Sequence, residues 1–479
     1  MSDAMTGIRS YGVCIPRLRM SRAAIADAHN WAFPNLKGLA RGERAVCSWD
    51  EDAITLAVQA GRACLRSAPA DPPLDLTVAS TTVPFADLQN ASIVACALRL
   101  EKSVTTQDVA GSTRSGLRAL AAALEAKSPD RRLVIAADTR RAKPGSTQEM
   151  TFGAGCAAFL TGSGDVLARY LGRESVTLPI VDHFRENGQK YDYYWEERWI
   201  RDVGVTGIVL PAIKALLQRL EIAVERIDWL GITGIPIGSN DLVAKTLGIA
   251  RERLIPDLQG TVGDAGTAQP FLLLANAIER GKPGDIAVIA AFGQGCEILA
   301  FEIDAGGARP RQTLDAAIED RQSETSYTKM LSFSGELHLD WGPRSETPIK
   351  AALTQQYRSA DQLLGFVGGR CGACGQVQFP VLPTCVKCGA AGRQAPHPLA
   401  DERASLVTVS ADWLQFYPAP PLYVGLVQFE SGARMLMEIV ETGSSVPEVG
   451  APLRFAFRLK AHDEIRHYSR YFWKGVPEI

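Results

Sequence analysis

The stretch Leu124-Glu-Ala-Lys-Ser-Pro-Asp-Arg-Arg-Leu-Val-Ile-Ala-Ala137 recurs as Ile278-Glu-Arg-Gly-Lys-Pro-Gly-Asp-Ile-Ala-Val-Ile-Ala-Ala291, with no gap and at an offset of 154 (278 − 124). Each copy reads as the end of an Ala/Leu-rich helix, a Pro turn and a short apolar run of the kind that forms a buried parallel strand. A similar turn and strand follows each copy: Gly153-Ala-Gly-Cys156-Ala-Ala-Phe-Leu, then Gly293-Gln-Gly-Cys296-Glu-Ile-Leu-Ala. Self-similarity in one register marks a duplicated plan. The first three hundred residues are therefore expected to form two similar α/β halves.

A second module follows. Cys371-Gly-Ala-Cys374 and Cys385-Val-Lys-Cys388 are two CxxC knuckles ten residues apart, each followed by glycine, Gly375 and Gly389. Zn²⁺ takes four thiolates in a tetrahedron, and each knuckle supplies two from one tight turn. The glycines stand where the chain often needs positive φ to wrap the metal. Two disulfides are the alternative, less consistent with this spacing and with a start, Met1-Ser-Asp-Ala-Met-Thr, that is not a signal peptide. Four thiolates leave no open coordination position, so the zinc is expected to be structural.

Behind the knuckles come Ser405-Leu-Val-Thr-Val-Ser, Tyr423-Val-Gly-Leu-Val-Gln-Phe, Arg434-Met-Leu-Met-Glu-Ile-Val and Leu453-Arg-Phe-Ala-Phe-Arg. Such alternating runs between Pro/Gly turns suggest a small barrel. Ala305-Gly-Gly-Ala-Arg-Pro-Arg311 marks a linker between the modules, with helical stretches expected around Leu314–Gln322 and Pro348–Tyr357.

A chain of 479 residues is too long for one core. Its formal charge of −2 gives no electrostatic reason to expect nucleic acid, and no apolar run reaches membrane-spanning length. Beyond the four ligands, Cys14, Cys47, Cys64, Cys96, Cys156 and Cys296 lie mostly in apolar segments. That suggests reduced, buried thiols and a cytoplasmic protein.

The doubled α/β plan resembles the thiolase superfamily. Gly7-Ile-Arg-Ser-Tyr-Gly-Val-Cys-Ile-Pro16 resembles the opening of its 3-hydroxy-3-methylglutaryl-CoA synthase and ketoacyl synthase III branch. Asp50-Glu-Asp-Ala-Ile-Thr-Leu-Ala57 looks like its first helix, and Lys282-Pro-Gly-Asp285 through Phe292-Gly-Gln-Gly295 like its last strand region. The resemblance implies an α/β fold, a duplicated thiolase-like fold in αβαβα layers, followed by a zinc ribbon and a small OB-type β-barrel. The expected divisions are 1–304, with halves of about 1–165 and 166–304, a linker at 305–367, the ribbon at 368–395 and the barrel at 396–479.

The resemblance also implies site residues, and there the chain departs from it. The family nucleophile, a cysteine activated at a strand-to-helix turn, aligns with Thr113 in Asp108-Val-Ala-Gly-Ser-Thr-Arg-Ser-Gly116. The synthase glutamate aligns with Thr81 in Ser80-Thr-Thr-Val-Pro-Phe-Ala, its histidine with Thr233 or Gly234, and its asparagine with Asp264 in Val262-Gly-Asp-Ala-Gly266. A threonine with no base beside it is a poor nucleophile. The expected chemistry is therefore carbon–carbon bond cleavage or formation on an acyl-CoA, of retro-aldol/aldol or Claisen type, without a cysteinyl intermediate. Thr113 and Asp264 are catalytic candidates. His183, in Val181-Asp-His183-Phe-Arg185 ahead of Tyr191-Asp-Tyr193-Tyr194-Trp195, is a third. Lys245 lies where relatives present basic groups to CoA phosphates.

A ribbon followed by such a barrel, ending Tyr471-Phe-Trp-Lys474, resembles the zinc-ribbon/OB-fold family that partners thiolases, including cysteine-less retro-aldolases. The expected ligands are structural Zn²⁺ and a coenzyme A thioester, or acyl-ACP, as substrate. A homodimer is expected, with neither nucleic acid nor membrane as partner. The alternatives are a condensing or thiolytic acyltransferase with the nucleophile elsewhere, and a non-catalytic acyl-CoA-binding scaffold.

Overall fold

The two copies of the repeat fold alike. In the computed structural model, which describes residues 6–67, 72–126, 131–194, 196–343, 352–392, 394–443 and 446–478, the apolar runs become strands Arg132–Thr139 and Ile286–Phe292. Their first residues are 154 positions apart. The turn at 127–130 lies outside the described residues.

The first unit comprises residues 1–48, 52–92 and 101–330. A nine-stranded sheet runs through it, made of β1 (Thr6–Cys14), β2 (Asp75–Ala79), β3 (Thr105–Val109), β4 (Arg132–Thr139), β5 (Ala154–Ser163), β6 (Ala168–Thr177), β7 (Ile227–Thr233), β8 (Ile286–Phe292) and β9 (Gly295–Ile303). The order β7-β8-β9-β6-β1-β5-β4-β2-β3 exposes the duplication. Outward from β1 the chain pairs β5 antiparallel, β4 antiparallel and β2 parallel; outward from β6 it pairs β9, β8 and β7 in the same senses. Gly7 and Ile8 against Arg169 and Ala168 join the halves.

Helices account for the layers. α1 (Ala53–Ser67) starts at a reciprocal cap, where Asp52 Oδ1 accepts from Thr55 N–H and Asp52 N–H donates to Thr55 Oγ1, each at 2.9 Å. It packs so closely on β1 that a Cβ on Gly12 would lie 2.3 Å from the Ala60 carbonyl oxygen. α2 (Ser115–Leu124) and α5 (Gln269–Arg280) are buried along nearly their whole length. Together with inward residues of β4, β5, β8 and β9 they form the central core, which includes Leu117, Leu120, Phe271, Leu274, Val134, Phe159, Ile289 and Phe301. A helix whose apolar residues spread over most of its circumference must be covered on most sides, which explains their middle position. α3 (Leu210–Arg219), α4 (Ser239–Leu247) and a π-helical stretch at Ile200–Val209 cover the outer face of β7, β8 and β9.

Residues 305–330, part of the expected linker, belong to the first unit. Gln322–Glu324 adds a parallel strand to Leu18–Ser21, and the expected helix ends at Glu319. The second expected helix spans Leu353–Arg358; its anticipated start at Pro348 lies outside the described residues.

The second unit contains residues 331–479 with Trp49–Glu51 and Ile93–Leu100. Its strands β10 (Ala404–Asp412), β11 (Leu422–Phe429), β12 (Arg434–Ile439), β13 (Pro452–Asp463) and β14 (Tyr468–Pro477) close into a barrel in the order β10-β11-β12-β14-β13. Phe366 is fully buried against Phe379, Phe429, Phe455, Phe472 and Trp473, and Trp473 donates its indole N–H to the Leu364 carbonyl at 2.7 Å. Lys474 is buried too, paired with Asp50 at 3.0 Å and Glu438 at 2.8 Å, which is what a buried ammonium requires. No described helix is long and apolar enough to cross a membrane.

Candidate active site

The turn ahead of α2 carries Thr113. Gly111 takes φ +95°, and Thr113, 7% exposed, donates its hydroxyl to the Phe292 carbonyl at 3.3 Å, while Ser112 donates to the Gly293 carbonyl at 3.1 Å. A Cβ on Gly293 would lie 2.7–2.8 Å from both hydroxyls, so a larger residue there would displace the Ser112 and Thr113 side chains. The other half reciprocates. Thr267, 154 residues after Thr113, donates its N–H to Asp138, which lies 154 residues before Phe292, at 2.8 Å. Each half's helix turn rests on the end of the other half's strand.

Asp138 is fully buried at the end of β4, and its carboxylate is saturated. Oδ1 accepts from Ser80 Oγ at 2.9 Å, Thr81 N at 2.7 Å and Thr82 Oγ1 at 3.0 Å; Oδ2 accepts from Thr81 Oγ1 at 3.0 Å as well as from Thr267. Burying a carboxylate requires such a donor set. Thr81 is thereby held by side chain and backbone, and Arg185 bonds its carbonyl.

Two residues on, and so on the same side of the extended chain, lies Arg140. Its side chain is 3% exposed and bonds Asp264 Oδ2 at 2.5 Å, Asp192 Oδ2 at 3.1 Å and Tyr194 Oη at 2.5 Å, with its guanidinium 3.7 Å above the Phe152 ring. Burial works against its charge, but Tyr194, Asp264 and Asp192 outweigh burial and hold its pKa above the ordinary value. Burial, the largest influence on Tyr194, raises its phenol pKa. Asp264 is fixed from both sides: its N–H donates to Thr151 O at 2.8 Å, its carbonyl accepts from Gly153 N at 2.9 Å, and Oδ1 accepts from Gly266 N at 2.9 Å.

His183 and Tyr194 pair in a two-stranded antiparallel ribbon and stack ring on ring at 5.2 Å and 19°. His183 Nδ1 lies 2.8 Å from Asp182 Oδ2, and Gln294 Nε2 bonds Asp182 Oδ1. His183 and Asp264 are thus linked through Tyr194 and Arg140, whereas Thr113, among the described residues, meets the group through the Phe292–Gly295 turn. Trp195 lies outside the described residues.

Thr233 ends β7, 7% exposed, with its hydroxyl 3.4 Å from the Ala290 carbonyl. Gly234 has φ +76°, and a Cβ there would lie 2.1 Å from the Phe292 carbonyl oxygen. No histidine fits at 234. Gly234→Ala is expected to cost about 2–4 kcal/mol by combining positive φ with a backbone clash, read as a lower urea midpoint; an unchanged midpoint would contradict this geometry. An open cleft is lined by Thr233, Gly234, Ile235, Asn240, Asp257 and Asp264, among others. Lys245 is exposed on α4 and does not line it.

The metal centre lies in the second unit. The four sulfurs of Cys371, Cys374, Cys385 and Cys388 lie within 4.8 Å of one another, with Cys371–Cys388 at 3.8 Å and Cys374–Cys385 at 3.7 Å. A tetrahedron with Zn–S bonds near 2.3 Å has edges of about 3.8 Å, whereas a disulfide needs about 2.05 Å. Each knuckle closes alike: Gly375 N bonds Cys371 O at 2.9 Å and Gly389 N bonds Cys385 O at 3.0 Å, with φ of +75° and +70°. The donor set fits zinc.

Sequence reasoning did not single out Asp138, Arg140, Asp182, Asp192 or Gln294. One signal was available. Asp138 and Arg140 are charges ending a buried strand, where open α/β sheets bind ligands, and the repeat offset maps Arg140 onto Gln294.

Comparisons with known proteins agree with this architecture. The model "3-Oxoacyl-[acyl-carrier-protein (ACP)] synthase III C terminal" matches residues 217–303, and "ChsH2, rubredoxin-like zinc ribbon domain" matches 359–392. The hydroxymethylglutaryl-CoA synthase of Methanocaldococcus jannaschii is 30% identical over 308 residues, spanning 62% of this chain and 88% of the relative. That of Thermococcus gammatolerans is 28% identical over 305 residues, spanning 62% and 85%. The fold matches the HMG synthase of the curacin biosynthetic pathway (TM-score 0.58, 18% identity, 78% of this chain and 96% of that one). It also matches 3-oxoacyl-(acyl carrier protein) synthase III from Pseudomonas aeruginosa (TM-score 0.56, 19% identity, 63% and 99%). The chain belongs to the hydroxymethylglutaryl-CoA synthase family, on a thiolase-like fold fused to a zinc ribbon and a β-barrel.

Proposed function

We propose that the protein makes or breaks a carbon–carbon bond next to a thioester, in a retro-aldol/aldol or Claisen sense, without a cysteinyl intermediate. The carrying observation is the surroundings of Thr113. Its hydroxyl donates to a backbone carbonyl, while the titratable side chains collect around Arg140. In the retro-aldol direction a base takes the β-hydroxyl proton and the Cα–Cβ bond breaks. The carbonyl forms at Cβ, the electron pair stays on Cα as the thioester enolate, and a proton returns there. Asp264 and His183 are the acid/base candidates, Thr113 orients the substrate, and Lys245 meets the phosphates of coenzyme A. Zinc holds the ribbon. The carrier is coenzyme A or an acyl carrier protein, and the protein works as a cytoplasmic homodimer.

The buried thiols support this reading. Burial pushes Cys64 and Cys296 up to about 12 and Cys156 well above its ordinary value, opposite to what a nucleophilic thiol needs. No described histidine ring bonds a thiol. The second reading is a condensing enzyme whose nucleophilic cysteine lies elsewhere in the chain; the relatives' printed names, hydroxymethylglutaryl-CoA synthase, favour condensation.

One experiment separates them. The full chain is incubated with β-hydroxyacyl-CoA and β-ketoacyl-CoA esters, with and without iodoacetamide, and products and adducts are followed by mass spectrometry. Cleavage that survives alkylation supports the proposal. Alkylation-sensitive turnover with a trapped acyl-cysteine supports the second reading. Acyl-CoA binding without turnover would make the protein a scaffold.

A further inference from the structure

The segment from Asp182 to Tyr194 is clamped at both ends by equivalent positions of the two halves. Arg140, past β4, holds Asp192 and Tyr194; Gln294, its counterpart past β8, holds Asp182 and also reaches the His183 carbonyl at 3.3 Å. Gln294 does so from φ +52°, a left-handed conformation that residues other than glycine adopt at a cost. Strain of this kind persists where surrounding structure enforces it, and it concentrates at functional sites. The result is one orientation for His183: its ring lies on Tyr194, and Nδ1 meets an aspartate that is itself 3% exposed.

We propose that Asp182 and Gln294 are positioning residues that hold the His183 ring with its Nδ1–H on Asp182, so that Nε2 is the nitrogen left to take the β-hydroxyl proton of a β-hydroxyacyl thioester. This rests on the reading of the site as one for carbon–carbon cleavage. Burial, the largest influence, works to raise the Asp182 pKa, but hydrogen bonds from the His183 ring and from the backbone N–H groups of His183 and Asp182 outweigh it, and the pKa is lowered. An ionised carboxylate can only accept, so Nδ1 must carry the proton. Oδ1 is occupied by Gln294, which stops the carboxylate from turning away. His183 Nε2 has no bond within the described residues. In the proposed step the proton passes from the β-oxygen to Nε2 as the Cα–Cβ bond breaks. The electron pair moves to the enolate, and His183 is left as imidazolium until it returns the proton.

The test uses the full chain labelled with ¹⁵N-histidine; with six histidines, His183→Gln identifies the resonance. Recorded at a pH high enough to deprotonate free imidazole, the expected wild-type spectrum shows Nδ1 protonated and Nε2 bare for His183. Asp182→Asn, whose amide can donate as well as accept, releases the Nε2–H form, and Gln294→Met does so in part. On a β-hydroxyacyl-CoA that the wild type cleaves, Asp182→Asn lowers kcat by about 10²-fold or more, with little change in KM. A wild-type ring in the Nε2–H form overturns the proposal, and this measurement needs no variant to fold. Turnover that ignores both His183→Gln and Asp182→Asn overturns it while leaving the proposed function standing. A locked Nδ1–H tautomer with no thioester turned over removes the catalytic half of the proposal and the proposed function together, and leaves the positioning of His183 upheld.

Discussion

Cys371→Ser is expected to abolish stoichiometric zinc binding and to unfold the ribbon. The four sulfurs already stand as the corners of a zinc tetrahedron, with Cys371–Cys388 at 3.8 Å and Cys374–Cys385 at 3.7 Å. Around them there is little else to hold the chain: three short strands, Val367–Arg370, Val377–Gln378 and Ala395–Pro398. The metal must therefore supply most of the folding free energy of this segment, where structural zinc in small modules contributes ~10–16 kcal/mol. Chelation at neutral pH should reproduce the variant. Zinc per chain by elemental analysis and proteolysis within 371–392 are the readouts. Full zinc content in Cys371→Ser, or an intact ribbon after its removal, would contradict the assignment. The barrel should respond less, because its Phe366–Trp473 cluster is held by side-chain packing.

Arg140→Met carries the second large effect. It leaves Asp264 and Asp192, at 23% and 13% side-chain exposure, facing each other without the guanidinium that joins them. Removing one partner of a buried ion cluster costs about 3–5 kcal/mol, because charge is stranded in a poorly hydrated site. For a unit of more than 300 residues that is a fall of roughly 4–8 °C in melting temperature. Arg140→Lys should recover part of the loss: an ammonium keeps the charge but cannot reproduce the planar fork to two carboxylates or the stack on Phe152. Turnover should fall in both, since Tyr194 and Asp264 lose the group that aligns them. Two variants as stable as wild type would show that the cluster is not what fixes these side chains.

The duplicated framework was legible because helix-end, turn and strand recur at a constant offset, and periodicity is a property of the chain alone. The same offset explains the reciprocal contacts, Thr113 on Phe292 and Thr267 on Asp138. The barrel strands were legible from alternation between turns. The extent of the first unit was not. Ala305-Gly-Gly-Ala-Arg-Pro-Arg311 has the composition of a linker, yet residues beyond it pair with Leu18–Ser21, because a free strand edge in the first unit was available to them.

By itself the sequence determined the zinc ligands, the two-half α/β plan and the barrel, since ligand spacing and apolar period act over a few residues to a few turns. Only the tertiary structure decided how the ionisable side chains around Arg140 and Gln294 are joined. Arg140 meets Asp264 across 124 residues and Gln294 meets Asp182 across 112, and nothing local records such a meeting. A buried charge takes whatever counter-charge the fold brings within reach, so the partners become visible only when the strands, helices and turns are in place.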